Sequence, residues 1–155
     1  MRDYSKRYFL TASLAVLATG CFCDISAAQH ASPVPGKRVA LSGYDPISYF
    51  DPGQPEKGSG NFTFAFDDAV YWFKNERNRA RFAADPERHA PQYQGFCTLT
   101  LAAGQKAEAD PESWSIKDGK LFVFGSKSAV PRFNQNAFAI VDKANANWRT
   151  LHAAK

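Results

Sequence analysis

The chain has 155 residues, 45% of them hydrophobic and 14% aromatic, with 19 lysines and arginines against 15 aspartates and glutamates. A net charge of +4 is too mild to imply a nucleic-acid partner, and Arg77, Arg79 and Arg81 would spread around a helix axis rather than form a basic stripe. No internal repeat, low-complexity tract or second linker is visible, so one compact domain with one core is expected.

At the N-terminus Arg2, Lys6 and Arg7 precede an uncharged run of 16 residues, Tyr8 to Cys23. A bilayer span needs about 20 apolar residues, so the run reads as the core of an export signal rather than as an anchor. Ser26-Ala27-Ala28 offers the small residues of a cleavage site. Residues 1–28 are therefore expected to be a signal peptide, 29–38 a flexible segment and 39–151 the domain, working in the periplasm or beyond. An alternative is a lipid anchor on Cys21, since Leu17-Ala18-Thr19-Gly20-Cys21 resembles a lipoprotein box. Removing residues 1–28 leaves 16 basic against 13 acidic side chains, and no transmembrane span.

In the body, Gly43-Tyr44-Asp45-Pro46 is turn chemistry, followed by a short strand predicted over Ile47 to Phe50. Phe62, Phe64 and Phe66 alternate with Asn61, Thr63 and Ala65, and a second aromatic run follows Asp67-Asp68. That pattern predicts a β-hairpin with a buried Phe face. Asn75 should cap a helix whose Phe82 anchors it on the hairpin, and Asp85-Pro86 should restart a short helix that Pro91 closes. The segment Phe96 to Ala103 alternates like a strand, yet Ala102-Ala103-Gly104 resembles a helix end, and helix is the reading taken. Ser113 to Phe124 predicts a second hairpin turning at Asp118-Gly119. Ser126 is the expected cap of a helix carrying Val130 and Phe133, and Phe138, Val141 and Trp148 mark a last amphipathic helix. The sum is an α+β fold, with small antiparallel hairpins packed against several short helices.

The chain has no phosphate-binding glycine loop, serine nucleophile elbow, Cys-x-x-Cys or histidine-rich tract. Histidines number only three, and His30 and His152 lie near the termini. Chemistry would then rest on Cys97, the only cysteine beyond residue 28. An exported protein retains a lone thiol either sealed in its core or kept for use. His89, eight residues earlier, could fold back across the intervening turn to make a nitrogen–thiolate pair suited to soft metals. Asp45 is either a turn residue or a carboxylate aimed into a pocket near Tyr44, Tyr49 and Trp72. The metal-ligand candidates are thus Cys97, His89 and Asp45, with Cys97 expected to be partly accessible.

The run Ala40-Leu41-Ser42-Gly43-Tyr44-Asp45-Pro46-Ile47-Ser48-Tyr49-Phe50, with Tyr71-Trp72-Phe73, Asp85-Pro86-Glu87-Arg88-His89 and Gly95-Phe96-Cys97, resembles the exported single-domain branch of the YHS-domain family. The likeness covers about Val39 to Leu151 and implies handling of heavy metals. The family's Cys-x-Met ligands have no counterpart here, because Ile47-Ser48-Tyr49 follows Asp45-Pro46 and the only methionine is Met1. The resemblance therefore implies an accessory protein that binds or traffics a soft metal, copper being the candidate, through a lone thiol, with a possible periplasmic or membrane protein partner. Two alternatives come from other classes: a non-catalytic interaction module with a structural cysteine, and a thiol-dependent enzyme.

Overall fold

Two aromatic hairpins organise the protein. The first joins β2 (Ser59–Phe66) to β3 (Ala69–Phe73), and the second joins β4 (Asp110–Lys117) to β5 (Lys120–Phe124). The computed structural model describes residues 36–153; the expected leader, its cleavage site and Cys21 lie outside them. Strand β1 (Arg38–Val39) runs parallel to β3 and completes a three-stranded sheet of order β1-β3-β2, while β4 and β5 form a two-stranded sheet. Arg38, assigned by sequence to the N-terminal segment, thus belongs to the folded body. Five helices cover these sheets: α1 (Glu76–Ala84), α2 (Pro86–His89), α3 (Thr98–Ala102), α4 (Ala129–Gln135) and α5 (Ala137–Ala153). The result is a single α+β domain, as the residue pattern predicts.

Each hairpin is plugged by one phenylalanine. Phe82 of α1 lies fully buried with its ring 5.0 Å from Tyr71 and 5.1 Å from Phe73, and Phe64 and Phe66 close over it. Phe133 of α4, also fully buried, sits 4.9 Å from both Phe122 and Phe124. Each such ring contributes about 1.5–3 kcal/mol by leaving water.

The likeness of the two plugs extends through the backbone, and the chain is a structural repeat. Positive φ at Leu41, Ser42 and Gly43 (53°, 49° and 79°) recurs at Tyr93, Gln94 and Gly95 (56°, 56° and 81°), 52 positions later. Val39 pairs in parallel with Val70, and Pro91 likewise with Leu121. The Asp45 amide donates to Glu56 O, and the Cys97 amide to Ala107 O, both at 2.9 Å. Both hairpins carry a register irregularity, between Ser59 and Thr63 in one and between Asp110 and Trp114 in the other. The absence of a repeat in the sequence reading is therefore corrected. In the paired segments 41–49 and 93–101 only the glycines coincide, because the repeat is carried by hydrogen bonds, left-handed turns and aromatic positions rather than by side-chain identity.

Three further expectations are corrected. The residues expected to make a strand at Ile47 to Phe50 form a 3-10 turn, Pro46–Tyr49, because Pro46 sets the first helical φ and the Asp45 side chain caps the Ile47 amide. Ser126 does not cap α4 through its side chain. It offers its carbonyl to the Ala129 amide, while its hydroxyl pairs with Ser128. Phe138 is 90% exposed, since the buried stripe of α5 runs through Ala137, Ile140, Val141, Ala144 and Trp148, leaving position 138 beyond the edge of that stripe. Helix α3, the Asn75 and Asp85 caps and the Asp118-Gly119 turn, with φ of 51° and 73°, stand as predicted.

Candidate functional site

The three candidate residues occupy three separate environments. Asp45 is fully buried at the entrance to the 3-10 turn. Its Oδ1 accepts from the Ile47 amide at 2.8 Å, and its Oδ2 accepts from the Lys74 amide at 2.8 Å and the Asn78 side-chain amide at 2.7 Å. The carboxylate thereby ties the first turn to the end of β3 and to α1. Asn78 and the Lys74 amide are partners that sequence reasoning missed.

His89 ends α2 and is 6% exposed. A carbonyl can only accept, so Nδ1 donates to Asp85 O across 2.8 Å, and the ring stands edge-on to Phe50 at 5.5 Å. That contact fixes the imidazole within its own helical turn.

Cys97 precedes α3 and is 3% exposed, so the expected partly accessible thiol is corrected to a buried one. Its Sγ accepts from the Gly125 amide at 3.2 Å, and its carbonyl accepts from the Thr100 hydroxyl at 3.0 Å. An open cleft of about 310 Å³ lies beside it, lined in part by Thr100, Ser126, Ser128 and Arg132. Neither His89 nor Asp45 borders this cleft. Among the described residues no group of three or more His, Cys, Asp or Glu side chains is arranged to hold a metal ion.

The repeat relates two of the three candidates. Cys97 lies 52 positions after Asp45, and Gly125 lies 51 after Lys74, so the Gly125-to-Cys97 bond repeats the Lys74-to-Asp45 bond. Both residues fasten the start of their half to the end of its hairpin. The second fastening is weaker: sulfur is a poor acceptor, and Ala129 stands where the first half has Asn78. A shared spacing of 51–52 was the one signal in the sequence that could have revealed this.

Nearby tyrosines are structural. Tyr49 donates to Pro111 O at 2.9 Å and Tyr93 to Asn145 Oδ1 at 2.9 Å. Burial, helped by neighbouring Tyr44 and by surrounding carboxylates, holds the Tyr49 hydroxyl well above its ordinary range, and burial pushes Tyr93 up to about 12. No helix among the described residues is long and apolar enough to cross a membrane. Comparisons with family models, with curated proteins and with solved structures return no match.

Proposed function

We propose that this is an exported, YHS-like, non-catalytic interaction module in which Cys97 is part of the architecture. The observation that carries the reading is the equivalence of Cys97 and Asp45: each accepts a backbone N–H from the end of its own hairpin. A buried thiol engaged in this way needs no chemical role to explain its retention. The described polar neighbours of the Cys97 sulfur include no imidazole or carboxylate to serve as a base, which argues against a thiol-dependent enzyme.

One observation favours a second reading, a soft-metal accessory with copper as cargo. Cys97 lines an open cleft that also carries the hydroxyl residues Thr100, Ser126 and Ser128 and the cationic Arg132, rather than a sealed apolar core. A single thiolate with at most weak oxygen donors would suit Cu(I) better than zinc, which takes four ligands.

The test is thiol alkylation in native buffer and in urea, with Cu(I) titration of the purified protein and of Cys97→Ser. The interaction-module reading expects native alkylation at least tenfold slower than in urea, and no Cu(I) binding that depends on Cys97. Rapid native alkylation with one Cu(I) per chain, lost in Cys97→Ser, would replace it with the metal reading.

A further inference from the structure

A second cleft, of about 500 Å³, opens where the two halves meet, a volume suited to a small-molecule ligand. Asp67 at the β2–β3 turn and Glu87 on α2 bring two carboxylates to it, neither ion-paired among the described residues. Phe66, Tyr93 and Trp148 form its apolar side, and Asn145, held by the Tyr93 hydroxyl, completes the wall. Among the described residues no lysine, arginine or histidine lines the cleft, although the chain as a whole carries +4. Outside the lining, Lys106 rests its ammonium 5.0 Å from the Trp148 ring centre and His152 stacks on the same ring at 4.7 Å.

The repeat supplies an internal control. In the second half the matching cleft, between the β4–β5 turn and α5, is smaller, about 280 Å³. There Lys117 replaces Phe66, Asp118 replaces Asp67 and Phe138 replaces Glu87, with Lys120 and Asp142 adding one charge of each sign. One backbone design thus carries an acidic, aromatic lining in the first cleft and a charge-balanced one in the second.

We propose that the first cleft binds a small organic ammonium ion with an apolar body, its charge placed between Asp67 and Glu87 and its body against Phe66, Tyr93 and Trp148. Hydrophobic walls add nothing to a bare metal ion, and two carboxylates alone would not separate an organic cation from sodium. The combination selects a cation that carries apolar surface. This assignment does not depend on the role of Cys97.

The test is calorimetric titration of the purified protein with phenethylammonium chloride, with 2-phenylethanol and magnesium chloride as matched probes. Expected is one saturable site for the ammonium ion, weakened by added salt. Glu87→Gln and Asp67→Asn should each weaken it about fivefold, near the upper end for exposed ion pairs, and Lys117→Gln should leave it unchanged. Asparagine tolerates the positive φ at position 67, and both acidic positions are exposed, so the variants should fold. The proposal is overturned if the ammonium ion does not bind, if 2-phenylethanol binds as tightly, if magnesium competes at equal concentration, or if both acidic variants bind like the parent.

Discussion

Replacing Asp45 and Cys97 one at a time measures how the two halves are fastened. In Asp45→Ala three donors lose their acceptor at a fully buried site: the amides of Ile47 and Lys74 and the side chain of Asn78. Each buried donor left unsatisfied costs about 1–3 kcal/mol. Partial relaxation and access of water to Lys74 and Asn78 reduce the sum, giving an expected loss of about 4 kcal/mol, a large fraction of the roughly 5–15 kcal/mol that holds a domain folded. Cys97→Ala strands one donor, the amide of the exposed Gly125, and removes a buried sulfur, for about 1–2 kcal/mol. Cys97→Ser keeps an acceptor and should cost less than Cys97→Ala. Urea unfolding followed by tryptophan fluorescence, with the slope compared across variants, reads all three. The reasoning fails if Asp45→Ala costs less than about 1 kcal/mol, or if Cys97→Ser is more destabilising than Cys97→Ala, since the sulfur would then not be acting as an acceptor.

Phe82→Ala and Phe133→Ala should each cost about 3–5 kcal/mol, and the two values should agree within about 1 kcal/mol because each ring plugs an equivalent hairpin; urea midpoints check this, and a twofold disparity would deny the equivalence. Stability should also fall steeply at alkaline pH. Tyr49, Tyr71 and Tyr93 have raised folded values, so their contribution is complete below the ordinary tyrosine value of about 10 and is lost as pH climbs from there through the folded values, about 12 for Tyr93. Thermal melts from pH 8 to 12 should show the decline beginning near 10 and lessened in Tyr93→Phe; a flat profile would contradict the burial argument.

Local structure was legible in the sequence because it depends on neighbours a few residues apart. The Asp118-Gly119 turn, the Asn75 cap and the Asp85-Pro86 restart each have a cause within one turn and are found; the alternation of Phe62, Phe64 and Phe66 gives the expected hairpin, though its Phe face is only partly buried and Thr63 on the other face is buried. The misreadings at Ile47 and Phe138 arose where an apolar residue was assigned by type although a cap or a helix rotation decided its place. The candidate site was legible only as a set of residue types. Their spacing could not reveal that Asp45 gives both oxygens to amides 2 and 29 positions away and to a side chain 33 away, or that His89 turns back on Asp85. The duplication was likewise decided by tertiary structure: a backbone amide donates equally well to a carboxylate or a sulfur, and a left-handed turn accepts Leu-Ser-Gly or Tyr-Gln-Gly. The sequence by itself determined which segments fold locally, whereas long-range backbone hydrogen bonds, indifferent to side-chain identity, decided that Cys97 stands in the place of Asp45.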